Sequence, residues 1–156
     1  MPGFETLAQR RHVLEALFPK IINSRSAHEQ ENLFELTRAL IAQHMADEEK
    51  IFYDMINRKV SSLKLAVTRA KIGHSEIRDY FTTLSRSNLN YEEWVFTLGE
   101  LNHAFICHME LEKELMALAK KALKAGEFST LSKRMHEAEK KIFAGLVDVW
   151  GRFEAA

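Results

Sequence analysis

The sequence predicts an all-α fold, an antiparallel up-down-up-down four-helix bundle with an additional C-terminal helix. Three observations lead there. Apolar residues recur with the 3.6-residue helical period along five segments. No stretch alternates apolar and polar residues convincingly in the period of a strand. Only two prolines and six glycines punctuate 156 residues, so long helices can run uninterrupted. A chain of this length forms one domain with one substantial core, here expected over 1–156, with the bundle over about 4–125 and the extra helix over about 128–154.

Each element has its own signature. The first helix is expected from about Phe4 to Asn23, with Leu7, Leu14, Phe18 and Ile21 on one stripe; Pro19 is expected to kink it or end it early. Ser24, Arg25 and Ser26 read as a turn. A second helix follows from about Ala27 to Asn57, with Leu33, Leu36, Leu40, Ile51 and Met55 inward. The third spans about Ser62 to Ser87, with Leu65, Ile77, Phe81 and Leu84 inward. The turn Ser87 to Asn90 supplies an N-cap for a long fourth helix, about Tyr91 to Ala125, which Gly126 would stop. The fifth runs from about Ser129 to the end. It carries Leu131, Ile142, Phe143, Leu146, Val147 and Trp150 and would pack outside the bundle. Short connections between long helices favour antiparallel neighbours.

Lysine plus arginine and aspartate plus glutamate each number 22, a formal net charge of zero. That balance offers no electrostatic attraction to nucleic acid or to an anionic membrane surface. No run of apolar residues approaches the 18 or so of a membrane span. The N-terminus lacks a basic stretch followed by an apolar one, so no signal peptide is expected. The single cysteine, Cys107, fits a reducing, cytoplasmic setting.

The chemistry lies in an internal repeat. The second helix contains His44-Met45-Ala46-Asp47-Glu48, and the fourth contains His108-Met109-Glu110-Leu111-Glu112. The i, i+4 spacing puts each histidine and its glutamate on one helical face. Each pair also falls on an apolar stripe, so it points inward. A lone helical histidine precedes each pair at nearly the same separation, His12 before His44 and His74 before His108. Two helix pairs related by a pseudo-two-fold axis would bring four imidazoles and two carboxylates to one level of the core. Bare burial of such charges costs on the order of several kcal/mol each. A pair of metal ions relieves it, with bridging carboxylates and two imidazoles per ion. Mixed imidazole and carboxylate ligation suits iron better than magnesium or calcium.

With these residues, His12, His44-x-x-x-Glu48, His74 and His108-x-x-x-Glu112, the sequence resembles the hemerythrin-like, or HHE cation-binding, family, in its bacterial branch, over roughly residues 5 to 120. The resemblance implies two non-haem iron ions with a bridging oxo or hydroxo group, held by those six residues. It implies binding or sensing of oxygen or a related small molecule such as peroxide or nitric oxide. The sequence departs from the oxygen carriers of that family. Arg78 stands where they have a second third-helix histidine, and Glu112 where they have an aspartate. Met45 and Met109 stand where some members carry an extra carboxylate, which leaves iron coordination open.

Two registers are open for the first helix. In the third helix, Ile77, Phe81 and Leu84 follow His74 at +3, +7 and +10; the equivalent stripe Leu14, Phe18, Ile21 counts back to Arg11. His12 lies about 100° round from it, and a kink at Pro19 would bring it inward. The remaining histidines, His28, His103 and His136, are expected at the surface or as satisfied polar groups. Cys107 is expected at a core or boundary position, and Met45, Met55, Met109 and Met116 as core filler. Three functions follow: reversible small-molecule binding or sensing, a di-iron enzyme acting on peroxide, nitric oxide or ferrous iron, and a metal-free helical interaction module whose HxxxE pairs are internal salt bridges.

Overall fold

The structure is a computed structural model that describes residues 2–86 and 88–154, with side chains described for 12–86, 88–142 and 144. Every regular element among the described residues is helical. Helix α1 is Pro2–Ile22. Helix α2 begins as Ala27–Asp47, passes through a π-helical stretch Glu48–Tyr53 and finishes as Asp54–Lys59. A short 3₁₀ turn, Ser61–Leu63, leads into α3, Lys64–Leu84. Helix α4 is Tyr91–Ala122, and α5 is Ala125–Glu154. No helix among the described residues is long and apolar enough to cross a membrane.

Local chemistry accounts for the starts. Ser26 caps α2 by accepting from the Glu29 amide at 3.1 Å. At α4, Asn90 accepts from the Glu93 amide while the Glu93 side chain accepts from the Asn90 amide, a reciprocal capping box. Pro19 does not end α1, although, having no N–H, it removes the one bond that would run to the Glu15 carbonyl. The Asn23 amide still donates to the Pro19 carbonyl at 3.0 Å, because the fully buried Phe18 and Ile21 hold this turn against the core. The expected glycine stop of α4 is also corrected. Leu123 takes extended backbone (φ −80°, ψ 148°) and is buried, and Gly126 falls inside the first turn of α5. Packing of Leu123 with Phe128 and Leu131 makes this corner.

Two apolar clusters show the direction of the chain. One joins Leu14, Phe18 and Ile21 of α1, Phe34 and Ile41 of α2, Ile77 and Phe81 of α3, and Leu98 and Phe105 of α4. The later part of α1 and α3 thus meets the earlier part of α2 and α4, the signature of antiparallel alternation. The second cluster joins Phe52, Ile56, Val67 and Leu115 with Phe128, Leu131 and Met135 of α5. Helix α5 lies against α1, α2 and the π-helical stretch, so it builds one end of the core and does not merely cover the bundle's exterior. Its expected inward residues Phe143, Leu146, Val147 and Trp150 lie outside the described side chains. Leu65, expected inside α3, is 66 % exposed; Val67 and Ala70 carry the buried face there.

Candidate metal centre

Between the two apolar clusters lies a polar one. Glu48, His74, His108 and Glu112 each offer one ligand atom, and these four atoms lie within 4.8 Å of one another. None of the four residues is more than 7 % exposed. His108 Nε2 is 2.9 Å from Glu112 Oε1, and His74 Nε2 is 3.4 Å from the same oxygen and 4.0 Å from Glu48 Oε1. His44, also buried, has its Nε2 in direct contact with Glu48 Oε1. The structure therefore brings five of the six sequence-derived residues to one place. His12 is not brought there: it is exposed on α1, and the stripe Leu14, Leu17, Phe18 and Ile21 that faces the core passes it by. The Arg11 side chain lies outside the described residues.

The helical register explains all five of these placements. His44 with Glu48, and His108 with Glu112, sit one α-turn apart, and His74 heads the buried stripe Ile77, Phe81, Leu84. The helices must also approach closely. A Cβ on Gly73 would lie 2.4 Å from His108 Nδ1, so glycine at this position is what lets the His108 ring lie against α3. The His74 and His108 rings are 4.5 Å apart between centroids.

Two residues given no site role in the sequence reading support the cluster. The Tyr53 hydroxyl donates to Glu112 and lies 3.3 Å from His74 Nε2, and its ring stacks on His74. On a regular α-helix Tyr53 would point about 140° away from Glu48. The π-helical stretch widens the turn and carries it round, a common role of such bulges at functional sites. Glu49 accepts from His74 Nδ1 at 2.8 Å and from Arg78 at 2.8 Å. It lies on the rim, outside the four-residue group, and orients His74 from behind.

Electrostatics follow from the burial. Burial by itself would raise the Glu112 carboxyl, but hydrogen bonding with Glu48, His108 and His74 outweighs it and holds the group well below the usual carboxylate range. Burial, then the Glu48 and Glu112 carboxylates, push the Tyr53 hydroxyl far up, so it stays protonated. For Glu49, bonds from His74 and Arg78 outweigh partial burial and lower its pKa. Carboxyl oxygens and imidazole nitrogens thus converge on one point, and none of the four groups is a fixed cation. Such a set suits a transition-metal ion, oxygen and nitrogen donors together.

The chain matches the family model for the hemerythrin HHE cation binding domain over residues 4–119. It belongs to that family. Among curated proteins and among solved structures, nothing matches the chain significantly. For this hemerythrin-family chain, the matched segment ends within α4, so α5 lies wholly beyond it.

The other chemistry-bearing residues stand apart. His28 and His103 are exposed. Cys107, expected at the core or its boundary, is exposed, with its sulfur 3.6 Å from His103 Nε2. The inward face of α4 is filled by Phe105, His108, Met109 and Glu112, and residue 107 falls about 100° off it. Met45, Met55, Met109 and Met116 are all buried.

Proposed function

We propose that this chain holds two non-haem iron ions at His44, Glu48, His74, His108 and Glu112, and that it binds or senses oxygen or a related small molecule there. The observation that carries the proposal is the convergence of four buried donor atoms within 4.8 Å. A dinuclear iron centre, when bound, would supply reversible binding and redox chemistry for small ligands. The chain's own residues do the rest. Glu48 and Glu112, from different helices, would hold the metal through their carboxylate oxygens. Three imidazoles supply nitrogen, and Glu49 keeps His74 oriented. The apolar clusters on either side exclude bulk water. A groove of about 750 Å³ between α3 and α4, lined by Ile72, Val95, Phe96 and Leu111 among others, reaches His108 and offers a largely apolar approach for a small neutral molecule.

A second reading, turnover of peroxide or nitric oxide or oxidation of ferrous iron, is favoured by Tyr53, whose hydroxyl holds a proton beside the ligand set. Iron content, thermal midpoints with and without a strong chelator, and optical spectra with and without oxygen test these readings together. About two irons per chain and a chelator-sensitive midpoint are expected, since site-bound metal stabilises by about 4 kcal/mol at a thousandfold excess over its dissociation constant. A stable oxygen-dependent spectrum supports binding; consumption of peroxide or nitric oxide supports the enzyme. A midpoint indifferent to chelator leaves the metal-free salt-bridge bundle.

A further inference from the structure

The metal-centre proposal assigns no role to α5, yet α5 sends a buried carboxylate into the core. Glu139 is 1 % exposed and sits on the same stripe as Leu131, Met135 and Ile142. A carboxylate on such a stripe is costly unless it meets a polar partner. Its Oε1 lies 3.8 Å from His44 Nδ1, while the other ring nitrogen of His44 contacts Glu48.

The same arrangement occurs at His74. There Nε2 faces the two glutamates of the cluster and Nδ1 faces a carboxylate behind it, Glu49, at 2.8 Å. His108 differs, because its Nδ1 is packed against Gly73. Two of the three imidazoles therefore have the inner nitrogen toward the cluster and the outer nitrogen toward a glutamate. A metal-bound histidine commonly donates its outer N–H to a carboxylate, which fixes the ring's tautomer and orientation and raises its basicity as a ligand. At 3.8 Å the His44–Glu139 pair is an ion-pair contact, longer than a hydrogen bond.

We propose that Glu139, delivered by α5 from beyond the matched family segment, is the positioning carboxylate that holds His44 for metal. The proposal rests on the metal-centre reading above. It gives α5 a functional role: the helix closes the centre from the side of α1 and α2, where His12 is exposed. Loss of the α5 contact would then loosen a ligand without touching any residue of the HxxxE repeat.

The full-length chain, loaded anaerobically with ferrous iron, provides the test. Wild type, Glu139→Gln, Glu139→Asp and the exposed-site control Glu137→Gln are compared by iron affinity in chelator competition, by the optical spectrum of the oxidised centre, and by the thermal midpoint of the metal-free protein. Glu139→Gln is expected to weaken iron binding by about 10- to 100-fold, the range found for such supporting partners. Glu139→Asp should recover part of this loss and Glu137→Gln should lose nothing. The metal-free midpoint of Glu139→Gln should stay close to wild type. Iron affinity within twofold of wild type in a folded Glu139→Gln overturns the proposal. So does a loss of affinity that only parallels a lower metal-free midpoint in both variants, which marks a purely structural carboxylate. A spectral change as large as that of His44→Ala overturns it in favour of direct ligation by Glu139. Failure of wild type to bind iron at all overturns the metal-centre reading itself, and this proposal with it. If Glu139→Gln does not fold, the affinity and spectrum of Glu139→Asp against wild type decide.

Discussion

The two halves of the repeat, α1 with α2 and α3 with α4, carry the same string of residue types and arrive at different geometries. In the α3–α4 half, His74, His108 and Glu112 all join the cluster, and the two helices close tightly over Gly73. In the α1–α2 half, His44 and Glu48 are buried while His12 is exposed, and Glu139 from α5 stands beside His44. The difference is one residue of register. In α3 the histidine lies three residues before the first member of the stripe Ile77, Phe81, Leu84; in α1 that place belongs to Arg11, and one residue turns a side chain by about 100°. A pseudo-symmetric sequence therefore does not guarantee a pseudo-symmetric site, since apolar burial sets the rotation of each helix before any ligand is counted.

The largest effect that would sharpen this contrast is on metal content. His74→Ala removes a fully buried imidazole and should at least halve the proposed iron-to-protein ratio of about two, whereas His12→Ala should leave it unchanged. Equal losses in the two variants, measured by metal analysis of reconstituted protein, would restore the symmetry and bring His12 into the centre. Next comes the close approach in the α3–α4 half. Gly73→Ala places a methyl group against His108 Nδ1 and should destabilise the metal-free fold by about 1–3 kcal/mol while lowering iron retention. Gly99→Ala, in the same pair of helices but with nothing within 4 Å of the new Cβ, should stabilise by about 0.5–1 kcal/mol. Opposite signs in urea unfolding confirm that a contact, not helix propensity, governs position 73.

A smaller effect lies at Tyr53. Tyr53→Phe deletes the hydroxyl that donates to Glu112 and should cost the metal-free protein about 1 kcal/mol, with a changed spectrum in the iron form. An unchanged midpoint and spectrum would remove Tyr53 from the centre. The smallest effect is on pH dependence. The Glu112 carboxyl is depressed below its ordinary value of 4.5, so its contribution to metal-free stability is complete above pH 4.5 and is lost as pH falls through the lower folded-state value. Glu112→Gln should flatten this acid limb. Urea midpoints of the metal-free protein at pH 7 and near pH 4 check it; an equally steep limb in the variant assigns it to other carboxylates.

Short-range spacing determined much of this protein. The i, i+4 pairs His44–Glu48 and His108–Glu112, and the register of His74 against Ile77, Phe81 and Leu84, depend only on the pitch of one helix, so they were legible without any partner. The helix order and the capping chemistry at Asn90 belong to the same class. Glu139 was half legible: its place on the stripe Leu131, Met135, Ile142 marks it as buried, but that it meets His44 depends on where α5 docks. Tyr53 and Glu49 could not be read, because a π-helical turn shifts every later residue round the axis and its location depends on what the surrounding helices pack against. The side taken by α5, the corner at Leu123 and the exposure of His12 were decided only by tertiary packing. A helix carries its own periodicity in its sequence, but the rotation and level at which it meets its neighbours are settled by burial summed over all of them.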